Sequence, residues 1–235
     1  MSRSELAARD PEVDEGAVWP LVRRRARREP LAYVLGEWGF RSLTLRCDAR
    51  ALVPRPETEV VVERCLELLR GVERPRVLDV GTGTGAIALA LAAEARADVV
   101  ATDASADALS LARENAQRAR LDVELVHGDL RDGLPPGPFD VVVSNPPYVL
   151  PEEWAALPPE VREWEPRDAL VDAGQTLAVA ERGRDVLSRG GHLVLEVHEQ
   201  RAAEVADALS RRGYLRVTIN VDLAGRERVV DGEQP

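Results

Sequence analysis

Residues 76–92 read RVLDVGTGTGAIALALA, and the reading of the whole chain turns on them. A run of apolar, strand-favouring residues closes on Asp79 and Val80, gives way to Gly81, Gly83 and Gly85, and continues as a long Ala/Leu/Ile run. The first part has the character of a buried strand, and the last predicts a helix from about Thr84 to Ala95. Glycines belong where a chain turns sharply and where backbone must come close to a ligand. The free N–H groups and dipole at the start of such a helix favour a negatively charged group.

Downstream the alternation continues. DVVATD, VELVHGD, FDVVVSN and GHLVLEV read as further strands, with helices predicted from Ser105 to Ala119, around Gln175 to Ser188, and from Gln200 to Arg212. YLRVTINVD and ERVVDG suit an antiparallel pair at a sheet edge. Continuous apolar strands joined by amphipathic helices indicate a sheet covered on both faces, so the expected class is α/β, doubly wound, with a mostly parallel seven-stranded sheet.

Upstream the pattern differs. AVWPLVRRRARREP (17–30) predicts a short helix with Leu21 and Val22 on its apolar side. Its arginines, Arg23, Arg24, Arg25, Arg27 and Arg28, read as a solvated face. Residues 38–46 alternate as a hairpin, and Pro54 and Pro56 punctuate the chain before Thr58 caps a helix to about Leu69. Two units are expected: a helix-and-hairpin connector over 1–53 and the main domain over 54–235.

Composition excludes several classes. The 235 residues carry a formal net charge of -10, which disfavours unaided binding to a phosphate backbone. All 31 basic residues are arginine, so Schiff-base and P-loop lysines are ruled out. Cys47 and Cys65 are too few for a disulfide framework or a four-thiolate zinc site and read as buried hydrophobes. His127, His192 and His198 show no ligand spacing, so no metal is expected. The first residues, MSRSELAARDPEVDEG, are charged without an apolar h-region, and no stretch reaches bilayer-spanning length; the cytoplasm is the expected location.

Two acids give the glycine turn a context. Asp103 ends the second strand of the alternating part, where a carboxylate can accept both hydroxyls of a ribose, and Asp129 ends the third, in HGDL. With GTGTG these residues resemble class I S-adenosylmethionine-dependent methyltransferases, Rossmann-like in fold. The resemblance implies S-adenosyl-L-methionine as cofactor. Gly81, Thr82, Gly83, Thr84 and Gly85 would lie against its methionine part, Asp103 would hold the ribose, and Asp129 with Leu130 would border the adenine, with Asp79 supporting the loop. An NAD(P)-dependent oxidoreductase is the rival, but it needs a hydride site, commonly a Tyr/Lys pair or zinc, and neither can be built here.

SNPPYV (144–149) follows the fourth of these strands, at the carboxyl edge where open parallel sheets bind ligands. Its prolines force the chain out of the sheet in a fixed, extended shape. Asn145 offers a side-chain acceptor and Pro146 a carbonyl, while Pro147 and Tyr148 offer flat surfaces: together, a receptor for a planar NH2 group. An amide nitrogen is a poor nucleophile, and two acceptors gripping its hydrogens orient its lone pair. Asn145 would also border the cofactor.

Read together, REPLAYVLGEWGFRSLTL, LVPRPETE, VSNPPYV, EPRDALVDAG, LEVHEQ and DLAGRERVV are similar to the HemK/PrmC-type protein-(glutamine-N5) methyltransferase family, over residues 28–231. The resemblance implies methyl transfer to a glutamine of a peptide-chain release factor, in its Gly-Gly-Gln segment, by a monomer acting without nucleic acid or membrane. It also places Arg55, Glu57 and Thr58 near the cofactor edge, and Glu165 and Pro166 at the pocket lip. Other acceptors stay open: a ribosomal-protein glutamine, an exocyclic amine of nucleic acid, or a small amide. So does a non-catalytic cofactor-binding module. Two departures stand out, a short amino-terminal docking region and His198 where the family has glycine.

Overall fold

In the computed structural model, which describes residues 15–235, helices α1 (Glu15–Ala26) and α2 (Leu31–Leu35) lead into a hairpin of β1 (Glu37–Phe40) and β2 (Leu43–Arg46). The remaining elements follow in the order α3 (Thr58–Leu68), β3 (Arg76–Val80), α4 (Ala86–Glu94), β4 (Asp98–Asp103), α5 (Ala106–Ala119), β5 (Glu124–His127) and β6 (Phe139–Ser144). A one-turn helix, α6 (Pro159–Arg162), precedes α7 (Gln175–Val186), β7 (Leu187–Glu196), α8 (Ala202–Arg211), β8 (Leu215–Val221) and β9 (Glu227–Glu233). Residues 1–14 of the expected 1–53 unit, which hold most of the stretch scanned for an h-region, lie outside the described residues.

The main sheet has seven strands in the order β5-β4-β3-β6-β7-β9-β8. Its first five are mutually parallel, and β9 runs antiparallel between β7 and β8. Strand order reverses beside β3, whose neighbours are β4 and β6, and the carboxyl ends at such a switch point are where open α/β sheets bind ligands.

Each face of the sheet carries its own core. On one, Val77, Val141, Val143 and Val194 pack with Val61, Val62 and Cys65 of α3 and with α4. On the other, Leu78, Val142, Leu193 and Leu195 pack with Val179 and Ala180 of α7 and Val205 and Leu209 of α8. Helix α4 is buried on every side from Ala86 to Leu91, which explains its unbroken apolar sequence. Burying each of its leucines contributes about 1.5–3 kcal/mol. Phe40 and Leu45 of the hairpin sit in the α3/α4 core, so β1 and β2 are fastened to the main sheet's own packing.

Three arginines of the expected solvated face, Arg24 and Arg25 of α1 and Arg28 just after it, are ion-paired as well as exposed. Arg24 pairs with buried Glu29 and donates to the carbonyls of Tyr33 and Val34. Arg25 and Arg28 both reach Glu160 of α6. The physical reason is that two carboxylates, Glu29 and Glu160, face this side of α1, and planar guanidinium groups satisfy them and the carbonyls together.

Candidate active site

The loop after β3 turns through Gly81, Gly83 and Gly85 at φ of 77°, 55° and 84°. At Gly81 a Cβ would meet nothing within 4 Å, so this backbone faces open space; at Gly85 it would lie 3.2 Å from Leu89 and 3.4 Å from Ala112. One glycine exposes backbone and the other lets loop and helix close together. The N–H groups of Gly81 and Thr82 donate to the Thr102 carbonyl at 2.8 and 2.9 Å, drawing the loop over the end of β4.

Side chains fix the loop from three directions. Thr82 Oγ1 donates to Asp79 Oδ2 at 2.7 Å, and Ala88 N donates to the same oxygen at 3.2 Å, while Asp79 Oδ1 is buried without a partner. Burial pushes the Asp79 carboxyl up to about 7, against the pull of those hydrogen bonds. Asp103 accepts from Gly83 N through Oδ2 and from Ser105 N through Oδ1, both at 2.9 Å. Its carboxyl is also raised, by burial first. Asn115, 1% exposed, donates to the Thr84 carbonyl at 2.9 Å and the Arg46 carbonyl at 3.1 Å, and accepts from Arg46 N at 2.7 Å. This one amide holds loop, α5 and hairpin together.

Asp129 is held by its own neighbour: Arg131 pairs with it at 2.5 Å, and Arg131 N donates to Oδ1 at 2.9 Å. The guanidinium keeps this carboxyl below the usual range. Leu130 packs, half-buried, against the α7/α8 core.

β6 ends beside the glycine loop. Val80 of β3 is level with Ser144 of β6, and Ser144 Oγ donates to the Val80 carbonyl at 2.6 Å. Gly81 and Asn145 therefore leave adjacent strands side by side, about 5 Å apart by sheet spacing. Pro146 is buried, Pro147 and Tyr148 are half-buried, and burial pushes the Tyr148 phenol up to about 12. Beyond them Val149 makes a parallel bridge to Val171, so the prolines bend a segment tied at both ends.

Thr58 does not act as the expected cap. Glu57 occupies that position in helical conformation and makes no side-chain cap bond, because it pairs with Arg226 at 2.9 Å. The Thr58 hydroxyl points into the site and accepts from Asn145 Nδ2 at 3.3 Å. Arg55 pairs at 2.5 Å with Glu165, whose side chain is 1% exposed and also accepts from Val53 N at 3.1 Å. Pro166, the other expected lip residue, starts the short 3-10 turn at Arg167–Ala169. His198 is half-exposed, accepts from Gln200 N at 3.3 Å, and has its ring 6.3 Å from that of Tyr148.

Sequence reasoning missed two residues here, Asn115 and Glu196. Glu196 closes β7 with 1% exposure, and neither carboxylate oxygen has a hydrogen-bond partner. Burial pushes it up to about 7; the Thr58 hydroxyl, the Arg228 guanidinium and the Tyr148 hydroxyl pull the other way, and Glu57 adds to the rise. The two hydroxyls lie near the carboxyl without completing hydrogen-bond geometry. The signal was available: an acid closing an apolar strand, as Asp103 does and Asp79 nearly does. Among the described residues no cluster of His, Cys, Asp or Glu could hold a metal ion.

A family described as methyltransferase small domain matches residues 58–189. A methyltransferase from Pyrococcus furiosus superposes with a TM-score of 0.59 at 20% identity, over 82% of this chain and 89% of that one, a likeness of fold. Fold and site thus define an S-adenosylmethionine-dependent methyltransferase of class I. Open space at Gly81, the unpartnered Asp79 oxygen and the lone pairs left on Asp103 fit that cofactor. The release factor glutamine methyltransferase of Deinococcus radiodurans is 48% identical over 92% of this chain and 78% of its own length. That of Bordetella pertussis is 42% identical over 98% and 89%. The chain belongs to the release factor glutamine methyltransferase family.

Proposed function

We propose that the protein methylates the side-chain amide nitrogen of the glutamine in the Gly-Gly-Gln segment of a peptide-chain release factor. The observation that carries this reading is the Val80–Ser144 register, which sets Asn145 beside the glycine loop. The relatives named above supply the substrate class.

Bound S-adenosylmethionine supplies a methyl group already activated on a sulfonium. The chain's residues then have three tasks. Gly81 to Gly85 and Asp103 hold the donor, with Asp129 and Leu130 at its base. Asn145, with its Nδ2 engaged by Thr58, turns Oδ1 outward to accept one N–H of the substrate amide, and the Pro146 carbonyl accepts the other. Gripping both hydrogens orients the nitrogen lone pair and favours positive charge developing there. Pro147 and Tyr148 confine the planar amide and exclude water. Transfer would form the N–C bond as the methyl leaves sulfur, and the proton then shed by the nitrogen would pass to water as the methylated amide departs.

The segment 15–53 is read as the docking side of the molecule, since α1 is tied through Glu160 to the segment that follows Tyr148. The enzyme is taken to work as a monomer, in the cytoplasm where release factors act, without direct contact to nucleic acid. No helix among the described residues is long and apolar enough to cross a membrane.

The test is incubation with methyl-labelled S-adenosylmethionine and an intact release factor, followed by peptide mass spectrometry. Label on the Gly-Gly-Gln glutamine, abolished by Asn145→Ala, is the expected outcome. Cofactor binding with an unlabelled release factor would overturn the substrate assignment.

A further inference from the structure

Beneath the methyl-acceptor site lies a buried carboxylate that the mechanism above does not use. Ser144 and Leu195 are level on neighbouring strands, so Asn145 and Glu196 stand one residue beyond, side by side. By strand alternation Glu196 shares the face of Val194, the face against which α3 packs. Helix α3 begins there with Thr58, whose hydroxyl accepts from Asn145.

We infer that Glu196 is a positioning residue for methyl transfer, setting the direction of a Glu196–Thr58–Asn145 hydrogen-bond relay and hence the way the Asn145 amide faces. The inference rests on the reading of Asn145 as the substrate's acceptor. A carboxylate only accepts, and a hydroxyl has one proton to give. With Glu196 ionised, the Thr58 hydroxyl, which lies near the carboxyl without completing the bond in this geometry, turns its proton to Glu196, and Thr58 can then only accept from its other neighbour. Asn145 must then offer Nδ2 to Thr58, leaving Oδ1 for the substrate. Without the carboxylate, Thr58 is free to donate to Oδ1; the amide can turn over and offer the substrate two hydrogens, which repel its own NH2.

The groups facing Glu196 agree with this arrangement. Arg228, 8% exposed and donating to the Val197 carbonyl at 3.1 Å, leaves its Nε without a partner. It lowers the cost of a charge on Glu196, while Glu57 raises it and Tyr148 contributes a hydroxyl.

Three variants test the relay: Glu196→Leu, Thr58→Val and Thr58→Ser. With a release factor as substrate, Glu196→Leu and Thr58→Val should each lower kcat by about 10²-fold, with cofactor Kd unchanged, while Thr58→Ser stays near wild type. The double variant should fall no further than either single one. Wild-type kcat in Glu196→Leu, or losses that multiply in the double variant, would overturn the inference. A second readout needs no substrate: the side-chain amide resonances of Asn145 should shift in Glu196→Leu and not in Thr58→Ser. If the wild type fails to methylate any release factor, the substrate reading fails, and the resonances still decide the relay; an unmoved Asn145 amide signal would overturn it.

Discussion

Both oxygens of Asp103 accept backbone N–H groups, so this carboxylate shapes the glycine loop as well as offering lone pairs to a ligand. Asp103→Asn must present its NH2 group to one of those donors. Cofactor Kd should rise by about 10- to 100-fold by isothermal titration, the range of a hydrogen bond to a charged group. Asp79 and Glu196 give a second expectation. Folding raises both from ordinary carboxyl values of 3.8 and 4.5 to about 7. Over that window the folded protein holds protons the unfolded chain has lost, so their contribution makes stability fall as pH rises from about 4 to 7 and level off above. Urea unfolding of Glu196→Leu beside wild type should show the variant's advantage growing between about pH 5 and 7. Stability gained while turnover is lost would mark the residue as functional. Such groups were only partly legible in the sequence. GTGTG, Asp103 and NPPY announce themselves because their chemistry is local, a turn or a strand end. Glu196 and Asn115 matter through partners 32 and 31 residues away or more, and no short window contains both ends.

At the scale of elements, the strand and helix order was readable because a buried parallel strand and its crossover helix each carry their own period. Helix starts were less so: α3 was expected to be capped by Thr58, yet Glu57 fills the cap position and the hydroxyl serves the site instead. The pairing of the arginines at and just past the end of α1 was hidden for a similar reason, since Glu160 lies 132 residues beyond Arg28. Asn115 shows how elements are held in register, joining β2, the glycine loop and α5 through three hydrogen bonds. Asn115→Ala leaves buried backbone groups unpaired and should lower unfolding free energy by about 2–4 kcal/mol, measured in urea. Cofactor affinity should weaken with it, because the Thr84 carbonyl is freed.

For the whole molecule, the helix α1 and the segment after Tyr148 meet at Glu160. If that junction helps receive the protein substrate, Glu160→Arg should raise KM for a release factor several-fold with kcat and cofactor Kd little changed. The ion pairs themselves are partly exposed, so global stability should move by less than about 1 kcal/mol. Another whole-molecule property follows from the strand order. Among the described residues β8 has a ladder partner only in β9, whereas β9 joins β8 to β7. Val229 of β9 is also level with Glu196, so β9 backs the site and β8 does not. Amide hydrogen exchange should therefore be nested: β8 can open while β9 stays protected, but any opening of β9 must expose β8 as well. The outer strand becomes a sacrificial margin that can breathe or diverge in sequence while the chemistry, one strand further in, is undisturbed.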